Sequence, residues 1–105
     1  MKPIRLTYAT AQVLFALADG LRHGFDIADA TGLRGGTVYP ILRRLEAEGL
    51  VAAEWEAVEI SRDAGRPPRK YYRLLYDAAP VLRTARERYP FGRRVMGSDG
   101  SETAS

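Results

Sequence analysis

The fold of this chain is decided by residues 32–54, GLRGGTVYPILRRLEAEGLVAAE, together with residues 65–74, GRPPRKYYRL. The longer stretch begins with a glycine turn. It continues with apolar residues at the i, i+3, i+4 and i+7 spacing of a helix that buries one face: Val38, Ile41, Leu42 and Leu45. The shorter stretch is basic, is stiffened by two prolines, and ends in residues typical of a strand. Together they predict a helix that packs beside a basic β-hairpin.

The central helix is expected to span Gly36–Glu48. Pro40 has no amide proton and is tolerated best in or just past the first turn, which places the start of the helix near the beginning of that range. Gly49 is the residue type that commonly follows the end of a helix. Arg43 lies opposite the apolar stripe, so we expect its side chain to face away from the core.

The rest of the chain predicts three further helices and a pair of strands. Their expected bounds are helices at Tyr8–Ala18, Gly24–Thr31 and Asp77–Tyr89, strands at Leu50–Val58 and Lys70–Leu75, and a hairpin tip at Glu59–Arg69. In the second helix, Phe25, Ile27 and Ala28 are expected to pack inward. The resulting fold class is mainly α with a small β-hairpin, in the order α-α-α-β-β-α, which is typical of a winged helix-turn-helix domain.

The first helix, YATAQVLFALA, is apolar at nearly every position. A helix of this kind must be buried on more than one side. In so small a domain the second side needs either another segment of the chain or a second subunit. Because the last helix also carries an apolar stripe, we predict a homodimer. Its predicted interface consists of Leu6, Tyr8, Phe15, Val81, Leu82, Ala85 and Tyr89.

A chain of 105 residues supports one small core. We divide it into a winged helix domain at residues 1–76, a dimerisation helix at 77–90 and a small, polar tail at 91–105 that is expected to be disordered. The net charge is +3, and the charges are segregated. Residues 62–73 are rich in arginine and lysine, whereas residues 46–59 hold five glutamates and no basic residue.

Several classes of function are disfavoured by composition. The chain has no cysteine and only one histidine, so a disulfide framework and a structural metal site are not expected. It carries no nucleophile, P-loop or metal motif, and we therefore do not expect an enzyme or a cofactor. No apolar run approaches the ~18–20 residues that cross a bilayer. A cytoplasmic protein is the expectation.

The segment HGFDIADATGLRGGTVYPILRRLEAEGLVAAEWE, followed by GRPPRKYYRL, resembles the PadR-like family of bacterial transcriptional regulators. The similarity covers about Thr10 to Leu74. It implies a winged helix domain whose third helix recognises DNA, a homodimer formed through the first and last helices, and usually repression of transcription. For some members it also implies a small aromatic effector that releases DNA. The last helix of this chain is shorter than the common pattern, and no long coiled coil follows it.

Residues that could contact DNA lie on the third helix and the wing. The predicted set is Gly36, Thr37, Tyr39, Pro40, Arg43, Arg44, Arg66, Arg69, Lys70 and His23. Arginines on an outer helix face can bind base edges or phosphates, and a basic, proline-stiffened tip can neutralise phosphates. Each has a plainer explanation: a solvated helix face, a solubilising loop, or, for His23, capping or packing. We expect the aromatic side chains of Trp55, Tyr71 and Tyr72 in the core or on a strand face.

We therefore predict a sequence-specific DNA-binding transcriptional regulator, a repressor that binds an inverted-repeat operator as a homodimer through the third helix and the wing. Two alternatives stay open. One is a winged helix module that binds proteins, and the other is an architectural DNA-binding protein that senses no ligand.

Overall fold

A computed structural model of the protein describes residues 5–90. The tail that was predicted to be disordered, residues 91–105, lies outside the described residues. Within this range the elements are α1 (Tyr8–Ala18), α2 (Gly24–Thr31), α3 (Gly35–Ala47), β1 (Val51–Trp55), α4 (Val58–Asp63), β2 (Lys70–Leu74), a short 3₁₀ turn (Tyr76–Ala78) and α5 (Ala79–Arg88). The arrangement is mainly helical with one antiparallel pair of strands, and it confirms the predicted winged helix.

Local signals account for the helix ends. Thr7 caps α1, because its side-chain oxygen accepts a 3.1 Å hydrogen bond from the amide of Thr10. Gly32 follows α2 with a φ of 76°, a left-handed conformation in which a side chain would be strained. The bounds of α1 and α2 are those predicted, while α3 begins one residue earlier, at Gly35, and ends one residue earlier, at Ala47.

The segment between the strands differs from the prediction. It was expected to be a hairpin tip without regular structure, but it contains α4, and β1 ends at Trp55 instead of Val58. Ser61 is buried within α4, and its hydroxyl donates to the carbonyl of Val58 one turn earlier. Gly65, with a φ of 71°, ends it. We call residues 56–70, from the end of β1 through the first residue of β2, the wing.

The two strands pair antiparallel in a register that runs from Val51 opposite Leu74 to Trp55 opposite Lys70. The pairing continues one step beyond β1, where the amide of Glu56 donates to the carbonyl of Arg69 at 2.7 Å. β2 is also tied to the helical part, since the amide of Tyr72 donates to the carbonyl of Arg22 at 2.8 Å. The strand pair is therefore joined to the segment that leads into α2.

The core lies where α1 meets α2, α3, α5 and β2. Every residue of α1 from Thr10 to Leu17 is buried. On α3 the predicted stripe is buried as expected, and each such side chain stabilises the fold by about 1.5–3 kcal/mol. This chain's own α5 packs on α1 and covers part of its second side.

Two residues of the predicted dimer interface are corrected by this packing. Phe15 is 4% exposed and Ala85 is fully buried, both inside the core of one chain. Neither has surface to offer a second subunit. The other five stay at least partly exposed, and the phenol ring of Tyr8 meets that of Tyr89 edge to face, with centroids 5.5 Å apart.

The expected inward packing of Phe25 is also wrong, because its side chain is 73% exposed. Ile27 is fully buried, and two residues of separation turn a helix by about 200°, so the two side chains cannot share one face. Trp55 was expected either in the core or on a strand face. It lies on a strand face and is 67% exposed. No helix within residues 5–90 combines the length and the apolar character needed to cross a membrane.

Candidate nucleic-acid interface

The outward side of α3 is basic and open. Its exposed residues include most of the predicted contacts: Gly36, Thr37, Tyr39, Pro40, Arg43 and Arg44. The guanidinium groups of Arg43 and Arg44 form no hydrogen bond or ion pair with any part of the chain between residues 5 and 90. The opposite side of the helix is anchored by four buried apolar residues. α3 therefore presents two unpaired cations from a rigid support.

Tyr39 links α3 to α2. A methyl group placed on Gly24 would lie 2.3 Å from a ring carbon of Tyr39, so the ring covers the first residue of α2 at a distance that only glycine permits. Tyr39 remains 42% exposed. The hydroxyl end of the ring thus lies against the first residue of α2, while part of the side chain remains exposed.

A groove about 480 Å³ in volume runs between the start of α2, α3 and the wing. We call it the α2–wing groove. Its lining residues are His23, Gly24, Phe25, Asp26, Tyr39, Pro68, Arg69, Lys70 and Tyr72. The structure thereby brings together four residues that the sequence predicted as DNA contacts from three separate segments. It also adds Phe25, which the sequence interpretation had placed in the core.

His23 is partly buried at the start of α2. Its ring packs on Tyr71 with centroids 4.5 Å apart, and its side chain makes no capping hydrogen bond. Its Nδ1 atom is buried and has no hydrogen-bond partner within the described residues. Packing on the wing is what the geometry shows for this residue, and a phosphate contact stays a prediction.

The cations of the wing differ in how free they are. Arg69 is exposed, and its guanidinium has no partner in the described part of the chain. Lys70 is shared: its Nζ lies 3.8 Å from a carboxylate oxygen of Glu46 and within 6 Å of the ring centroids of Trp55, at 5.6 Å, and Tyr72, at 5.9 Å. Arg69 is therefore the wing cation most available to a phosphate.

Arg66, which the sequence predicted as a DNA contact, forms an ion pair within the wing. Its guanidinium binds the buried carboxylate of Glu56 through both terminal nitrogens, and Nη2 donates to Oε2 at 2.8 Å. The pair cancels one wing charge and fixes the direction of the Arg66 side chain. A contact of Arg66 with a phosphate stays a prediction.

The titration of this cluster reflects the same contacts. The pKa of Glu56 is lowered from 4.5 to about 2, chiefly because Arg66 hydrogen-bonds to it, against the opposing effect of burial; Tyr71 and the Arg69 amide lower it further. The pKa of Tyr71 is raised above its ordinary value, mainly because its hydroxyl donates to that carboxylate. Glu56 therefore stays ionised across the physiological range.

Two residues at this interface were missed by sequence reasoning. For Phe25 the signal was available, since its helical phase relative to Ile27 already separates the two. For Glu56 no clear signal existed, because a single glutamate in an acidic stretch looks like a solvated residue until the path of the wing is known. Between residues 5 and 90, no group of three or more histidine, cysteine, aspartate or glutamate side chains could hold a metal ion.

Solved structures of winged helix regulators resemble this fold. The Lactococcus lactis ZitR structure in complex with DNA matches with a TM-score of 0.62 and 18% identity, covering 87% of this chain and 57% of that one. The Adhesin competence repressor AdcR from Streptococcus pyogenes matches with a TM-score of 0.66 and 17% identity, covering 84% and 59%. The chain thus spans less than two thirds of the length of these two proteins. At such identities the likeness shows the fold alone.

The class of protein is therefore a winged helix domain. A PadR family transcriptional regulator from Eggerthella lenta DSM 2243 matches with a TM-score of 0.57 and 29% identity, covering 75% of this chain and 71% of that one. The family model of the transcriptional regulator PadR-like family matches residues 13–77. The chain belongs to the PadR-like family of transcriptional regulators, which is not a class of enzymes. No curated protein sequence matches it.

Proposed function

We propose that the protein is a sequence-specific transcriptional repressor that binds an inverted-repeat DNA operator as a homodimer. The observation that carries the proposal is the pair of unpaired arginines on the outward side of α3, beside the α2–wing groove. A helix of this kind fits the major groove, and a flanking wing reaches the backbone. Membership of a family of transcriptional regulators supports this reading.

The two arginines of α3 are proposed to have different roles. Arg43 lies opposite the buried stripe of α3 and is exposed. We assign it to a base edge, where a guanidinium can form two hydrogen bonds with guanine. Arg44 lies toward the border of the exposed side and is assigned to a phosphate. Pro40 lies between them on the exposed side and would contact DNA through its apolar ring.

The backbone contacts are assigned to the ends of the groove. Arg69 and Lys70 would neutralise phosphates from the wing, while the exposed start of α3, Gly36 and Thr37, would accept a phosphate on its amides and hydroxyl. Phe25 and Tyr39 also line the α2–wing groove, and their rings would offer apolar surface to the sugars between phosphates.

The dimer surface is proposed to consist of Leu6, Tyr8, Val81, Leu82 and Tyr89. Leu6, Tyr8 and Tyr89 lie where the start of α1 meets the end of α5, and Nη1 of Arg88 donates there to the carbonyl of Leu6 at 2.9 Å. Val81 and Leu82 lie near the start of α5 and are partly buried against the core. A two-fold dimer would present two copies of α3 about one helical turn of DNA apart, or a multiple of that. Sedimentation that shows only monomer at tens of micromolar would contradict this assignment.

A small aromatic effector, suggested by the resemblance to other family members, is not required by this proposal. We expect the dimer to bind its operator without a bound small molecule. If protein freed of small molecules lost all specific binding and regained it on adding one, an obligatory ligand would have to replace this expectation.

The proposal is tested by measuring DNA binding at two salt concentrations, first with genomic fragments and then with the selected site. Arg43→Ala should weaken binding to that site by about 1–3 kcal/mol and flatten discrimination between sites. Arg83→Ala is the matched control, because it removes the same charge from an exposed position on α5. If Arg43→Ala behaves like Arg83→Ala, α3 is not the reading helix.

A further inference from the structure

The wing contains a buried carboxylate. Glu56 follows β1, and its side chain is only 1% exposed although it carries a charge. The carboxylate accepts hydrogen bonds from both terminal nitrogens of Arg66, from the hydroxyl of Tyr71 at 3.0 Å and from the amide of Arg69 at 3.3 Å. We call Glu56, Arg66 and Tyr71 the wing clasp.

The donors to Glu56 come from far along the chain. They lie 10, 13 and 15 residues downstream, so a single carboxylate joins the beginning of the wing to its end. Tyr71 extends the connection, because its ring packs on His23 at the start of α2. The clasp therefore connects the wing to the helical part beside the α2–wing groove.

A carboxylate in this place needs an explanation. Burying a charge is costly unless it is paired and hydrogen-bonded, and a negative charge near a DNA-binding surface repels phosphates. No cluster within residues 5–90 suggests a metal role for it. These contacts hold both the amide and the carbonyl of Arg69 to Glu56. Arg69 is the wing cation whose guanidinium is free.

We propose that Glu56 is a positioning residue for DNA recognition, which holds the wing so that Arg69 and Lys70 line the groove. The inference rests on the proposed DNA binding. For the DNA affinity of a variant that lacks this charge, it predicts a change opposite to that expected from charge alone. Removal of a negative charge beside the interface would by charge alone tighten binding, whereas loss of the clasp loosens the wing and weakens it.

The experiment compares Glu56→Gln with Glu59→Gln by operator binding across a salt series. Both variants lose one negative charge, but Glu59 is exposed on α4 and takes no part in the clasp. Glutamine keeps the size of Glu56 and turns an amide donor toward the donors of Arg66 and Tyr71. We expect Glu56→Gln to bind about tenfold more weakly, with a salt slope lower by about one, and Glu59→Gln to bind as the unmodified protein does or slightly more tightly.

A positional role is separated from a merely structural one by a double-mutant cycle with Arg69→Ala. If the clasp aims Arg69, then Arg69→Ala should weaken binding in the unmodified protein and cost almost nothing further once Glu56 is glutamine. Fully additive losses, an unchanged salt slope in Glu56→Gln, or binding as tight as that of Glu59→Gln would each overturn the inference.

Tyr71→Phe keeps the test decisive if Glu56→Gln fails to fold. It removes one hydrogen bond to Glu56 and leaves all charges in place, so a two- to threefold loss that is partly non-additive with Arg69→Ala supports the clasp. Strict additivity contradicts it. If the unmodified protein binds no DNA, the proposed function fails, and the clasp is judged by hydrogen exchange. The amides of Glu56 and Arg69 must then exchange faster in Tyr71→Phe while α1 stays protected.

Discussion

The outer side of α3 and the wing both look basic in the sequence, yet they differ in how their charges are used. On α3, Arg43 and Arg44 are unpaired and stand on a helix anchored by buried side chains. In the wing, Arg66 is bound to Glu56, Lys70 is shared with Glu46, and Arg69 alone among these three has a free guanidinium or ammonium group. The count of basic residues therefore overstates what the wing can offer a phosphate.

The comparison teaches that the position of an acidic partner decides whether a cation is available. The glutamates of residues 46–59 looked like a separate acidic flank, but two of them reach the basic segment in the fold. Under the proposed function we therefore expect α3 to read DNA and the wing to add a smaller electrostatic contribution.

The largest expected difference between the two regions appears on replacing arginine with lysine. Arg43→Lys should lose about 1–3 kcal/mol at the cognate site together with base discrimination, because lysine cannot make the two parallel hydrogen bonds. Arg69→Lys should bind almost normally, since a phosphate needs only the charge. Competition of each variant with sites mutated at single base pairs measures this. Equal losses for the two variants would erase the distinction between reading and positioning.

A second contrast lies within the wing, between Arg66 and Arg69. Arg66→Ala leaves a buried carboxylate without its main partner and should lower Tm clearly, whereas Arg69→Ala removes an exposed side chain and should leave Tm almost unchanged. Conversely, Arg69→Ala should lower the salt slope of DNA binding by about one. Thermal unfolding and salt titration of both variants decide the matter. A Tm for Arg66→Ala that equals the Tm for Arg69→Ala would show that the ion pair is unimportant to the fold.

A smaller effect should follow from Gly24→Ala. The new methyl group would overlap the ring of Tyr39, which must then move away from α2, and we expect DNA affinity to fall about threefold, the size of losing one ordinary contact. Alanine is an acceptable residue at a helix start, so stability should change little. In a Tyr39→Ala background the same substitution should have no further effect. A full threefold loss there would mean that Gly24 acts by some route other than the tyrosine ring.

The last expected effect is confined to acid pH. The pKa of Glu56 in the folded protein, about 2, lies below its ordinary value of 4.5, so the unfolded chain binds more protons in this interval. The contribution of Glu56 to the free energy of unfolding is therefore complete above about pH 4.5 and lost as the pH falls toward 2. Urea unfolding at several pH values should show a steeper acid loss for the unmodified protein than for Glu56→Gln. Glu59→Gln should retain the steep loss, and parallel curves for all three would exclude this contribution.

Much of the fold could be predicted because its signals are local. The bounds of α1 and α2 follow from apolar runs closed by glycine, and Gly32 adopts the positive φ that such an ending requires. α4 could not be predicted in this way, since its six residues are too few to show a helical period. The outward turn of Phe25 was readable from its phase relative to Ile27 but was assigned by its apolar character alone.

In the candidate site too, the residues that could be predicted are those whose position depends on local sequence. The outward position of Arg43 follows from its own helix, so the sequence was enough to place it. The fate of Arg66 depends on the path of the wing, which brings it back to a carboxylate 10 residues away. No spacing rule links these two positions. The ion pair of Arg66 could therefore not be predicted, and the contact of Arg66 with a phosphate stays a prediction.

The covering of α1 by α5 has a consequence for assembly. Since one chain closes its own core, we expect it to fold before it meets a second copy, with pairing as a separate step. The midpoint of thermal unfolding should then be nearly independent of protein concentration, unlike that of an obligate dimer. Under these conditions an operator with two half-sites could itself assemble the pair, one monomer after the other, so that occupancy would rise steeply over a narrow range of cellular abundance.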